Sequence, residues 1–228
     1  RGAYKAGFTQ LPDGRLVLAV CEGDKQYWPL LVFASDDQGD TWQQINKTPL
    51  FGKEPALAAL PDGALVLTSQ GMGARPDGVP PGTYTFRSGD GGRTWEELAV
   101  DAGDSRYAYP RNIFLDADGS LLYLRDDGMD MTLCRSTDGG KTWTFTTGKV
   151  DWASNDMHPG GVFAEIGVIR KKSDHRLLAV IRREIPGYTG EGFEDTFLSR
   201  SDDNGKTWSR PWRASGTAEV HGYLTELS

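Results

Sequence analysis

The sequence predicts an all-β chain organised as a β-propeller of four-stranded blades, and three observations carry that reading. The string Ser-x-Asp-x-Gly-x-Thr-Trp occurs at residues 35–42, 88–95, 136–143 and 201–208, a period of roughly fifty residues. All its fixed positions hold in every copy, from Ser35, Asp37, Gly39, Thr41 and Trp42 to Ser201, Asp203, Gly205, Thr207 and Trp208. Each copy is preceded by a strand–turn–strand pattern, and no stretch of useful length has helical periodicity.

The elements follow in chain order. Residues 8–11, the turn Pro12-Asp13-Gly14 and residues 16–20 read as strand, tight turn, strand. Residues 56–68 repeat this around Pro61-Asp62-Gly63, and residues 113–124 around Ala117-Asp118-Gly119. Asp-Gly between apolar runs is a strong hairpin signal because glycine accepts the positive φ such turns need. The fourth copy, residues 167–181 around Ser173-Asp174-His175, keeps the pattern without the glycine. The apolar runs are nearly continuous, as in strands covered on both faces.

The Ser-x-Asp string is then the turn of a second hairpin. Residues 31–34 lead into the first copy, 43–45 lead out, and 197–200 enter the last. Its Asp and Ser close the loop on backbone N–H groups, its Gly supplies permissive backbone, and its Trp is expected to pack on its own unit. Two hairpins make four strands, the content of one propeller blade. Read as a single propeller domain, the chain divides into blades at about 1–50, 51–104, 105–160 and 161–215. Residues 216–228 open a fifth, because the run from His221 to Ser228 matches the approach to a hairpin turn.

Composition narrows the function classes. The 228 residues include 29 Gly and 12 Pro with 38% hydrophobic content, which suits a turn-rich globular β protein. The formal net charge of −7 disfavours nucleic acid as a partner. No apolar run approaches the roughly 18 residues of a membrane span. Cys21 and Cys134 fall in different repeats within apolar patterns and read as buried free thiols. His158, His175 and His221 lack metal-ligand spacing, and no cofactor motif is present.

Strand alternation locates the candidate site. If the Asp-Gly turn joins the innermost strand to the second, it shares a face with the Ser-x-Asp turn two strands later. The inner-strand starts, the loops after the second strands and the blade connections share the opposite face. Counting back from the turn aspartates gives Lys5, Glu54, Arg111 and Glu165 as inner-strand starts, with His221 for the fifth blade. Such a set makes a polar site of mixed charge, suited to a sugar or an anionic sugar. The second strands end near Asp24, Gln70, Arg125 and Arg182–Arg183. The connections at 71–82, 152–161 (with His158) and 184–194 are long and rich in Gly, Pro and aromatics.

The repeated string is similar to the Asp-box, or BNR repeat. Together with Leu-Pro-Asp-Gly-x-Leu-Val-Leu, it makes the whole chain resemble the sialidase-like six-bladed propellers. That resemblance implies four of six blades here, with roughly 90 residues more for a ring, and an open ring leaves blade faces unpaired. It implies an exo-sialidase-type glycosidase that cleaves a terminal sugar with retention. A tyrosine made nucleophilic by a glutamate attacks the anomeric carbon, and an aspartic acid protonates the leaving oxygen. Carried onto this chain, Glu165 is the base to that tyrosine and Asp24 the acid. Arg182, seventeen residues after Glu165, and Lys5 hold the substrate carboxylate, with Glu54, Arg111 and His221 lining the site. The family's first-strand motif is Tyr-Arg-Ile-Pro, where this chain reads Tyr4-Lys5-Ala6-Gly7, so the planar bidentate grip of arginine is lost there. The third arginine and the tyrosine belong to later blades. The resemblance also implies a glycan partner and an extracellular or periplasmic location. The competing reading is a non-catalytic carbohydrate- or protein-binding propeller.

Overall fold

The structure, a computed structural model, describes residues 3–22, 28–71, 75, 77–101, 112–127, 130–151, 162–184 and 195–214. The chain forms two compact units, residues 1–121 with 136–143, and residues 122–135 with 144–228. Among the described residues every regular element is a strand.

The first sheet runs β1 (Ala3–Gln10), β2 (Leu16–Glu22), β3 (Pro29–Ser35), β4 (Gln43–Gln44), and β5 (Leu50–Phe51) also pairs with β3. The second runs β6 (Lys53–Ala59), β7 (Leu65–Gly71), β8 (Gly82–Ser88), β9 (Glu96–Asp101). The third runs β10 (Phe114–Leu115), β11 (Leu121–Asp127), β12 (Asp130–Ser136), β13 (Thr144–Val150). The fourth holds β14 (Val162–Arg170), β15 (Leu177–Glu184) and β16 (Asp195–Ser201); after the two-residue β17 (Thr207–Trp208) it is completed by β18 (Trp212–Arg213). Four-stranded sheets in chain order, joined by hairpins, are the predicted blades. The expected fifth blade at 216–228 lies outside the described residues.

The Asp-Gly turns close as expected, with the Gly14 and Gly63 N–H groups donating to the carbonyls of Leu11 and Leu60 at 2.9 Å. The fourth turn closes without glycine because His175 itself takes φ 59°, a left-handed conformation that histidine tolerates better than bulkier residues.

The four boxes are closed by one repeated network. In the first, Ser35 Oγ donates to Asp37 Oδ1 at 2.7 Å and accepts from Gly39 N at 2.8 Å. Asp37 accepts from Thr41 N at 2.9 Å and Thr41 Oγ1 at 2.6 Å. The same bonds recur at Asp90, Asp138 and Asp203.

One expectation needs correcting. The indole N–H of Trp42 and Trp95 does donate to its own box, to the carbonyls of Gly39 and Gly92, but the boxes of the second, third and fourth blades seat on the preceding blade. Trp95 joins a core with Val17, Ala19, Leu30 and Val32 of the first sheet and Leu57, Leu65, Leu67, Tyr84 and Phe86 of the second. Its backbone N–H donates to Thr48 Oγ1 at 3.1 Å, and Lys47 N donates to Arg93 O at 2.8 Å. Trp143 packs against Ala56, Ala58 and Val66 together with Ile113 and Leu121. In the second unit, Thr207 and Trp208 pair in parallel with Lys149 and Val150 of β13. A Cβ at Gly148 of β13 would overlap the Gly205 carbonyl, so only glycine admits this close approach. The box is a joint between blades because its hydrogen bonds make it rigid, and its Gly and Trp then present a flat apolar surface to the neighbour.

The box aspartates couple this joint to pH. Hydrogen bonds from Thr41 and Thr207 hold Asp37 and Asp203 at about 2, against an ordinary 3.8. At Asp90 and Asp138 burial is the largest single influence and pushes upward, but the bonds from Thr94 and Ser88, and from Thr142 and Ser136, outweigh it and leave both at about 2. A depressed folded-state pKa contributes stability that is present above 3.8 and lost as pH falls toward about 2. Urea midpoints should therefore fall across that window, and Asp90→Asn with Asp138→Asn should flatten the fall. An unchanged slope in the double variant would refute the coupling.

Candidate active site

In each unit the hairpin turns and the boxes share one end of the strands. Arg87 bridges Asp62 of the second turn and the Gly139 carbonyl of the third box. Arg176 pairs with Asp202 at 2.9 Å, and Arg170 donates to Asn204. Lys5 and Glu54 in the first unit and Glu165 in the second therefore sit at the other end of their strands from the boxes of their own unit.

There the strands are interrupted in the same way three times. The register slips between Tyr4 and Ala6, between Lys53 and Ala56, and between Ala164 and Gly167. Each slip is a bulge, and it places Lys5, Glu54 or Glu165 as the extra residue or within the extra pair. Bulges bend a strand and re-aim a side chain. Glu54 and Glu165 both take φ 57°, a region sparsely occupied by residues other than glycine and costing about 1–3 kcal/mol each. Two glutamates strained identically at matching positions mark this end of the blades as built for something other than regular pairing.

Glu165 is buried, and its carboxylate forms an ion pair with the guanidinium of Arg182, the two side chains being 9% and 10% exposed. The pair arises directly from the hairpin: Arg182 on β15 lies opposite Ala164, beside the bulge that turns Glu165 toward it. Arg183 is also buried, with its guanidinium 5.2 Å from the centre of the Phe197 ring.

In the first unit, Glu54 is 4% exposed and Lys53 Nζ lies 3.5 Å from its Oε1. The same ammonium sits 5.5 Å from the Trp28 ring centre. Cys21, at the position in β2 that corresponds to Arg182 in β15, is a buried free thiol. Burial pushes its pKa up, opposed by a hydrogen bond from the Glu54 backbone, so it stays protonated and unreactive. Cys134 is likewise free and buried.

Arg75 was not singled out from the sequence. It pairs with Asp77 at 2.5 Å and with Glu97, and its guanidinium stacks 5.1 Å from both the Phe51 and Tyr84 ring centres. The signal was present in Arg75-Pro76-Asp77-Gly78, a tight turn inside a long connection. Of the predicted site residues, the structure brings Glu165 and Arg182 together and places Glu54 and Lys5 at matching bulges. Asp24, Arg111, His221 and His158 lie outside the described residues, as do most of the two connections at 152–161 and 184–194. No helix among the described residues is long and apolar enough to cross a membrane.

Comparison with known proteins agrees with this architecture. The BNR/Asp-box repeat profile matches residues 199–210, around the fourth box. A search of curated protein sequences found no match. Among solved structures, the α-L-arabinofuranosidase Arb93A of Fusarium graminearum (E242A mutant, with an iminosugar inhibitor) aligns with a TM-score of 0.64 at 16% identity, over 90% of this chain and 64% of that one. The α-L-arabinanase of Penicillium chrysogenum aligns with a TM-score of 0.65 at 17% identity, over 92% and 66%. The NanB sialidase from Streptococcus pneumoniae aligns with a TM-score of 0.64 at 12% identity, over 96% and 52%. This chain thus spans between 52% and 66% of the length of these three proteins. Their common property is a propeller carrying glycosidase activity, and this chain has that sialidase-like β-propeller fold, assembled from BNR/Asp-box repeats.

Proposed function

We propose that this chain supplies much of the active site of a glycoside hydrolase that removes a terminal sugar with retention, in the manner of a sialidase. The observation carrying this reading is the Glu165–Arg182 pair, a buried carboxylate held in a strained bulge at the end of the blades away from the boxes. A carboxylate fixed against a guanidinium accepts a proton in a defined direction. In the sialidase scheme Glu165 takes the proton of a tyrosine as its oxygen bonds to the anomeric carbon. Asp24 donates a proton to the departing oxygen, and water then releases the sugar. Arg182 and Lys5 are the residues proposed to bind a substrate carboxylate, and Glu54, Arg111 and His221 are further proposed sugar-binding residues.

A second reading concerns the sugar. Glu54 repeats the bulge and the φ of Glu165, and Arg182 already carries a carboxylate partner. Both facts favour a neutral sugar over an acidic one, as the arabinofuranosidase likeness also suggests.

Aryl glycosides separate the readings. The full-length protein should hydrolyse either an aryl α-sialoside or an aryl α-L-arabinofuranoside, with the first-formed anomer retaining the substrate configuration by NMR. For the sialoside, Arg182→Ala should weaken recognition by about 1.5–3 kcal/mol, the worth of a charge-assisted hydrogen bond. Affinity for a neutral substrate should be indifferent to that change. Binding of glycans without turnover of any aryl glycoside would instead establish the non-catalytic propeller.

A further inference from the structure

One guanidinium fastens a corner at the bulged end of the second blade. Arg75 lies in the connection between β7 and β8, and its side chain is 10% exposed. Asp77 accepts from Nε at 3.1 Å and from Nη2 at 2.5 Å, a two-pronged grip that suits the planar arginine fork. Nη1 donates to Glu97 of β9, the outer strand of the same blade. The ring centres of Phe51 and Tyr84 each lie 5.1 Å from the guanidinium carbon. Tyr84 is itself fully buried, and its hydroxyl donates to Pro80 O at 3.0 Å.

This corner holds the approach to Glu54. Phe51 is followed by Gly52, Lys53 and the strained Glu54. The ladder before them is short, because β5 pairs with β3 only through Leu50 and Phe51. Ser69 Oγ donates to Phe51 O at 2.8 Å, and Gly52 N donates to Trp28 O at 3.0 Å. A left-handed glutamate persists only where the surrounding structure over-determines it. After Glu54 the β6–β7 ladder resumes at Ala56. Before it, the chain is fixed through Phe51, and Arg75 stacks on the Phe51 ring.

We infer that Arg75 is a positioning residue for the sugar-binding site proposed at Glu54. It anchors Phe51, and through Phe51 it sets the placement of Lys53 and Glu54. That Glu54 meets a sugar rests on the glycosidase reading; that Arg75 holds Glu54 does not.

Cys21 reports on this segment, because its buried thiol accepts a hydrogen bond from the Glu54 backbone. Cys134, buried in the other unit, is the internal control. In the full-length protein, Arg75→Met should speed iodoacetamide alkylation of Cys21, read by peptide mass, and leave Cys134 unchanged. Losing the ring contacts and ion pairs should raise local opening, and with it the Cys21 rate, about tenfold. On the best aryl glycoside the same variant should raise KM about three- to tenfold with kcat nearly held, the mark of lost binding rather than lost chemistry. Arg75→Lys keeps the charge without the fork and should fall between on both measures. An unchanged Cys21 rate, or acceleration of both cysteines alike, overturns the inference. So does faster Cys21 alkylation with an unchanged KM, because Glu54 then moves without consequence for the sugar. Wild-type protein that turns over no aryl glycoside overturns the glycosidase reading instead, and the Cys21 rate still decides whether Arg75 holds Glu54.

Discussion

Replacing Trp95 or Trp208 by alanine should cost the protein about 3–5 kcal/mol, the usual loss for a large aromatic removed from a core. The same change at Trp42 should cost no more than about 1 kcal/mol. The three residues occupy the same place in the same motif, and sequence alone gives no reason for unequal effects. The difference comes from the joint: Trp95 and Trp208 are 7% and 2% exposed against a preceding blade, and Trp42 is 37% exposed. Denaturant midpoints taken at low protein concentration check this. Equal losses at all three would mean that the tryptophan stabilises its own loop, and the box would cease to be a joint between blades.

The second large effect is expected at the buried ion pair. Arg182→Met should destabilise the protein by about 3–5 kcal/mol, because it strands the Glu165 carboxylate in a site almost closed to water. Glu165→Gln should cost less than that, since its amide oxygen still accepts from the guanidinium. The double variant should be distinctly more stable than the sum of the two losses, because no charge is then left buried alone. Additive losses in the double-mutant cycle would show that the two side chains do not depend on each other.

Much of this was legible in the residues. The box and the Asp-Gly turn each rest on short-range hydrogen bonds and glycine conformations, so their sequences report their structures directly. Counting from the turn aspartates reached Lys5, Glu54 and Glu165, all three of which fall at the bulges, because the strands between turn and bulge are regular and of nearly equal length. The bulges themselves were invisible. Nothing in a glutamate announces φ 57°, and the surrounding structure imposes that conformation. His175 is the same lesson in miniature, a left-handed residue where the three other turns use glycine. The seating of each box on the preceding blade was also hidden, since hydrophobic pattern shows that a tryptophan is buried but not by which neighbour. The second blade shows the consequence: its β7 is buried at every position, whereas β3 of the first blade alternates along most of its length.

The proposed chemistry lies at the bulged end of the fourth blade, on a carboxylate that Arg182 holds and the backbone strains. Its most direct test is the turnover of the best aryl glycoside by the Glu165→Gln protein, measured below its melting temperature and alongside substrate affinity. Removing a proton-accepting group used in the chemical step should lower kcat by about 10²–10⁴-fold and leave affinity nearly unchanged. Wild-type kcat in the Glu165→Gln protein would contradict the assignment and leave the pair a structural feature of a binding propeller.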